Sequence, residues 1–242
     1  MIRNFSIALL LIIPSLTFAI DLEGYYITAK GGVSKTFNTG TTSITGPGIG
    51  LLTFQNEDLG SGSAFGFSVG KYLTDSFRLE LEAIKRTGYD FDVNVSTVGF
   101  TTYSEKAKIQ TEALFINGFY DFQPFSIRNT TITPYLGGGV GISRNKMGTE
   151  ATSNNGIPDG TTIDSNTINQ FAYKLSAGTL VSLTEQLSLD VNYQYVNLGA
   201  FKGGTESYRD GVRDDPTNDR ILGTNGGDIK TQELMVGLQY KF

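Results

Sequence analysis

Glu80 and Glu82 sit two residues apart in the run Phe77-Arg78-Leu79-Glu80-Leu81-Glu82. On an extended chain they project from the same face, as an acid and base pair would require. The chain has no histidine, so the base with the most suitable ordinary pKa is missing. It also has no cysteine, which removes thiolate metal sites and disulfides. The carboxylate pair belongs to a larger set on the charged parity of several alternating stretches: Lys30, Arg78, Glu80, Glu82, Lys108, Glu112, Lys174, Asp190 and Glu233. Such a set could line a channel, form a catalytic cluster, or pack an interior shut as mutual ion pairs. Four cations against five anions favour pairing, since an unpaired buried charge costs several kcal/mol. The run Gly137-Gly138-Gly139-Val140-Gly141 lacks the Gly-Lys-Ser/Thr ending of a phosphate loop, and in a strand it marks curvature or close packing. Asp210, Asp214, Asp215, Asp219 and Asp228 lack the spacing of a calcium loop, and Arg209, Arg213 and Arg220 are interleaved with them. No catalytic, cofactor or metal site is therefore expected.

The elements that must position these charges are strands, because apolar residues recur with period two. In 24–34, Tyr25, Ile27, Ala29 and Val33 alternate with Tyr26, Thr28 and Lys30. In 62–73, Phe65, Phe67 and Val69 oppose Gly66, Ser68 and Gly70. A third stretch places Phe77, Leu79, Leu81, Ala83, Tyr89, Phe91, Val93 and Val95 on one parity, so all are expected on one face. The fourth places Ala107, Ile109, Ala113, Phe115 and Phe119 against Lys106, Lys108, Gln110 and Glu112, with Asn117 intruding on the apolar side. A bulge near there is one explanation. Strands follow at 133–142, 169–183 and 187–195, and the last alternates through Leu234, Val236, Leu238, Tyr240 and Phe242. The joining segments 35–61, 88–105, 145–167 and 199–228 are long, whereas those after the second, fourth and sixth strands are short.

Eight antiparallel strands with long loops on one rim and short turns on the other predict a closed transmembrane up-and-down β-barrel. The chain is slightly hydrophilic on average, unlike a helical membrane protein, whose spans each need about 20 consecutive apolar residues. Its 242 residues carry a scattered net charge of −5 with no basic stripe, so nucleic acid is not an expected partner. Residues 1–19 read as a signal peptide: Arg3, an apolar run from Ile7 to Ile13, Pro14, then Thr17-Phe18-Ala19. The barrel is expected to occupy 20–242.

The runs Gly66-Phe67-Ser68-Val69-Gly70-Lys71-Tyr72, Asn117-Gly118-Phe119-Tyr120-Asp121-Phe122, Thr133-Pro134-Tyr135-Leu136-Gly137-Gly138-Gly139 and Tyr193-Gln194-Tyr195 resemble small eight-stranded OmpA/Opa-like outer-membrane barrels. The likeness is closest to porin-family surface antigens of rickettsia-type bacteria. Gly237, Leu238, Tyr240 and Phe242 resemble the C-terminal signature that the barrel-assembly machinery reads in that family. The resemblance implies a Gram-negative outer-membrane protein with extracellular loops, contacting membrane lipid and lipopolysaccharide. It further implies a surface antigen, adhesin or envelope-structural role towards host extracellular proteins. A narrow porin-like channel is the alternative, and a secreted lipocalin-like barrel with its apolar face inward is a third. Partner contacts are expected at Tyr89, Phe91, Tyr208, Arg209, Arg213 and Asp215.

Overall fold

The computed structural model describes residues 22–37, 39–46, 50–56, 58–97, 101–154, 156–213 and 223–242. The expected signal peptide lies outside them. Eight long strands make the wall: β1 (Tyr25–Thr36), β2 (Ser61–Tyr72), β3 (Phe77–Thr97), β4 (Thr101–Asp121), β5 (Thr130–Met147), β6 (Asn166–Ser182), β7 (Leu187–Lys202) and β8 (Gly223–Lys241). Each pairs antiparallel with its chain neighbour. β1 also pairs with β8, placing Ile27 opposite Tyr240 and Val33 opposite Leu234, which closes the ring and removes its edges.

The tight turns at 73–76 and 183–186 are built alike. Thr74 Oγ1 accepts from the Phe77 amide at 3.0 Å, and Thr184 Oγ1 accepts from the Leu187 amide at 2.9 Å. The turn after β4 instead carries a short strand, Phe125–Ile127, paired back onto the start of β5.

On the outer face, Leu79 and Leu81 of β3, Leu114 and Ile116 of β4, Val140 and Ile142 of β5, and Leu234, Val236 and Leu238 of β8 are exposed. They form an apolar band. Aromatic pairs border it, with Phe77–Tyr120 at 5.0 Å and Tyr240–Phe242 at 5.3 Å near the short-turn rim, and Tyr173–Tyr195 at 6.2 Å at the opposite border. Amphipathic rings in two girdles suit the two interfaces of a bilayer. Beyond the upper border the outer face turns polar: Lys35, Lys85, Glu112, Arg144 and Lys146 take the positions that apolar residues hold below.

The wall continues above that border with its polarity reversed. Tyr89, Phe91, Val93, Ile109, Phe115, Met147, Val196, Leu198, Phe201 and Ile229 are buried inside in one apolar cluster. A β-bulge turns β3 over. Thr87 and Gly88 together oppose Gln110, because Arg86 pairs with Thr111 and Tyr89 with Ile109. Gly88 takes φ +96, a backbone conformation L side chains rarely adopt.

This corrects two expectations. Tyr89, Phe91 and Val93 share a number parity with Leu79 and Leu81, yet the extra residue sends them to the opposite face. The segment 88–105, expected as a loop, is largely strand, since β3 and β4 each run for 21 residues.

Candidate functional site

Two regions carry polar chemistry: the lower lumen and the sheet above the membrane. Within the band, inward positions of the wall strands bring together Lys30, Arg78, Glu80, Glu82, Lys174, Asp190 and Glu233, all buried. Glu82 is the centre. Lys30 Nζ lies 2.7 Å from one of its oxygens, Lys174 binds the other, and Asn117 Nδ2 donates to it at 2.9 Å. Asn117 also donates to Glu80 at 3.2 Å, and Tyr26 donates to Glu80 at 3.3 Å. Tyr135 donates to Asp190 at 2.6 Å. At the top of the polar layer Arg86 clasps Glu233, with Nη2 to Oε2 at 3.1 Å, and Ser34 donates to the same carboxylate at 2.7 Å. At the lower end Arg78 bonds Asp121 at 2.9 Å, with its guanidinium 4.5 Å from the Phe119 ring centre and 4.6 Å from that of Tyr135.

Lys108 and Glu112 are not members of this network. They stand on the outer face above the band, where Lys108 meets Asp90 at 3.3 Å and Lys85 meets Glu112 at 3.1 Å, all four exposed to water. In β4 the parity holding Ala107, Ile109, Thr111, Ala113, Phe115, Asn117 and Phe119 is the inner one throughout. Asn117 is therefore in step and needs no bulge. It was the available signal, since a buried amide facing two carboxylates fits a lumen and not lipid. Arg86 and Asp121 take the vacated places, so among the described residues the lumen still holds four cations and five anions. Neither belonged to the expected set, although Arg86 shares its parity with Glu80 and Glu82.

The interior among Lys30, Arg78, Asp190 and Gln194 leaves no water-sized space. Below it a vestibule of about 890 Å³ opens at the short-turn rim between Tyr72, Asp121, Gln239 and Phe242. Above it lies the apolar cluster. Glu80 and Glu82 face these partners and no open cleft.

Above the band the connections are built as sheet. Glu150–Asn154 pairs with residues 103–106 of β4, Ile157–Ile163 pairs with Glu150–Asn154, and Ser207–Arg209 pairs with residues 161–163 and with Val212–Arg213. A second hairpin, Gly40–Gly46 with Gly50–Asn56, pairs with residues 223–225 of β8.

At one tip Glu206 accepts from Tyr208 at 3.0 Å and from Arg213 Nη2 at 2.6 Å, with Arg209 exposed beside them. Three of the expected contact residues, Tyr208, Arg209 and Arg213, thus share one hairpin. Asp215 lies outside the described residues. Tyr89 and Phe91 are 0% and 1% exposed inside the apolar cluster, so no partner reaches them. Under the same sheet Glu150 and Glu105 are buried together, and Thr224 donates to Glu150 at 3.0 Å. Burial, reinforced by the Glu105 carboxylate, pushes the Glu150 carboxyl up to about 8.

At the C-terminal strand, Leu238, Tyr240 and Phe242 lie on the outer face and Gly237 faces in against Lys30. The Phe242 amide donates to the Tyr25 carbonyl at 3.0 Å.

The family model described as outer membrane protein beta-barrel domain matches residues 5–242. The outer membrane protein PagN of Salmonella typhimurium is 29% identical over 198 residues, which cover 73% of this chain and 75% of that protein. A Rickettsia bellii protein named "Putative adhesin" is 27% identical over 194 residues, 75% of each chain. Among solved structures, Neisserial surface protein A aligns with a TM-score of 0.51 at 15% identity, over 91% of this chain and 98% of that one.

Proposed function

Because this chain belongs to the outer membrane protein β-barrel domain family, we propose that it acts at the bacterial surface as an adhesin through the sheet above the membrane. The carrying observation is that the connections do not hang as separate loops. They hydrogen-bond to β4, to β8 and to one another, so the barrel holds an extracellular platform in fixed register. A pre-ordered surface loses little conformational entropy on binding. The half-buried Tyr208 and the exposed Arg209 and Arg213 supply the aromatic and guanidinium groups that dominate protein interfaces. The partner class is a host extracellular protein, and the name carried by the Rickettsia bellii relative supports that reading.

In the same reading the lumen is structural, the carboxylates Glu80 and Glu82 are held by lysines and not poised for catalysis, and the outer band meets lipid and lipopolysaccharide. Tyr240 and Phe242 serve as the signal for the assembly machinery. Deleting Phe242 is expected to leave precursor in the periplasm, and unchanged surface display would contradict that assignment.

The adhesin reading is tested by displaying Tyr208→Ala with Arg213→Glu on cells and measuring attachment to immobilised host extracellular proteins. Attachment is expected to fall while surface display stays constant. Undiminished attachment would remove this tip from the binding surface.

A further inference from the structure

The outer wall has a dent that packing within the chain explains only in part: a Cβ on Gly138 would lie 3.1 Å from the Lys174 carbonyl and 3.3 Å from Leu175 Cδ2, whereas one on Gly118 would have room. Gly118 of β4 and Gly138 of β5 are direct partners in register, flanked by Leu79 of β3 on one side and Leu175 of β6 on the other. Two neighbouring outward positions therefore lack side chains. Leu79 and Leu175 stand three strand spacings apart, about 14 Å. The depression has a volume of about 380 Å³, rimmed by Phe77, Leu79, Tyr120, Leu136 and Leu175.

Other glycines of this run are needed where they stand. A Cβ on Gly139 would lie 2.0 Å from Asn117 Oδ1, and one on Gly141 2.0 Å from the Leu114 carbonyl. Gly118 is different. A Cβ there would meet only Leu79 Cδ2, at 3.9 Å, and its φ is not in the left-handed region. Glycine within a strand weakens it unless something else approaches closely. The free space at Gly118 thus points outward.

We propose that this groove is a binding site for an acyl chain of a membrane phospholipid. The rim residues Leu79, Leu136 and Leu175 are exposed members of the apolar band, so the groove opens sideways into hydrocarbon and not into water. Leu73, in the tight turn before β3, lines its lower end, which sets the groove in the leaflet beside the short-turn rim. Hydrocarbon chains are the solvent there, and an unfilled depression would forfeit dispersion contacts along its whole lining. The floor is backbone, with Phe119 and Arg78 behind it inside the barrel, so the surface presented to the chain is mainly apolar.

The chain has no tryptophan, so a single introduced tryptophan reports unambiguously. Leu79→Trp places the reporter on the groove rim. Leu238→Trp places it on plain wall near the same rim, since Leu238 pairs with Leu189 two residues into β7. Both folded proteins, checked by heat-modifiable migration, are put into phosphatidylcholine vesicles in which a fraction of the lipid carries brominated acyl chains. Leu79→Trp should be quenched more strongly than Leu238→Trp at every brominated fraction, and adding Gly118→Leu to fill the groove should abolish the excess.

Equal quenching of the two reporters would overturn the proposal, as would an excess that survives Gly118→Leu. Weaker quenching at Leu79→Trp would also overturn it, and would indicate a second copy of the chain seated there. The comparison of the two reporters needs no glycine substitution, so it remains decisive if the filled variant does not fold.

Discussion

Glu82 holds two buried ammonium groups, from Lys30 and Lys174, between its two oxygens. Removing one partner of a buried pair costs about 3–5 kcal/mol, because the remaining charge is left uncompensated. Glu82→Ala removes the nearest anion of two cations at once, leaving Lys30 only Glu80 at 3.9 Å, so its loss is expected at the upper end of that range, read from urea unfolding in vesicles. Lys108→Ala, on the outer face beside Asp90, should cost less than about 1 kcal/mol, as exposed pairs do. Equal costs for the two would contradict the separation of inner and outer charges. At this scale the sequence was legible in the band on β1, β3, β6, β7 and β8, where Lys30, Arg78, Glu80, Lys174, Asp190 and Glu233 all lie inside, but not on β4, where Phe115 and Phe119 share the inner face with Asn117. It misled at Lys108 and Glu112, because alternation distinguishes two faces without saying which is wet. Above the membrane both the charged and the apolar face exchange roles, and on the apolar parity of β4 Asn117 and Asp121 record which face is the lumen.

β3 shows both regimes within one element. Leu81 faces outward in the band, and Leu81→Arg should destabilise the barrel by roughly 2–4 kcal/mol if it sits near the bilayer midplane. Asp92, eleven residues further along the chain and on the outer face past the bulge, is paired with Lys106 at 2.9 Å and exposed. Asp92→Ala should change unfolding by little, whereas Phe91→Ala should cost about 3–5 kcal/mol as a buried aromatic. The strand's length and periodicity were readable. The reversal was not, because two apolar runs of equal parity flank Thr87-Gly88, and a single extra residue there is invisible to a count of alternation. The hairpins of 150–163 and 207–213 were likewise taken as separate loops, whereas their pairing makes them one unit. Glu150 under that unit gives it a pH dependence. Its folded pKa is raised to about 8 from 4.5, so the folded sheet holds a proton that the opened loop releases. The associated stability is fully present below the unfolded value and is lost as pH rises through about 8. Limited proteolysis of the 150–163 hairpin should therefore accelerate with rising pH across that window, and Glu150→Gln should flatten the response. An identical pH course in both proteins would contradict the assignment.

The whole molecule is two stacked barrels of opposite polarity sharing one wall: a polar lumen inside an apolar band, then an apolar core inside a charged surface. Eight strands, their antiparallel order and the alternation of short and long connections follow from the period and the turn residues. The lipocalin-like alternative, with apolar residues inward, describes the upper half of the wall, and the outer-membrane reading describes the lower. With the Arg78 box below, the ion pairs between, and the apolar cluster above, purified protein in planar bilayers should show little or no steady conductance, and large stable steps would contradict a filled lumen. The reversal itself is the central claim, and the absence of native cysteine allows a direct test. Single cysteines are placed at Leu81, Tyr89, Asp90, Phe91 and Asp92, and intact cells are treated with a membrane-impermeant maleimide. The account predicts labelling at Asp90→Cys and Asp92→Cys, with protection at Leu81→Cys in lipid and at Tyr89→Cys and Phe91→Cys in the core. Labelling at Tyr89→Cys and Phe91→Cys with protection at Asp90→Cys and Asp92→Cys would mean that β3 keeps one face outward along its whole length, and the two-layer barrel would be wrong.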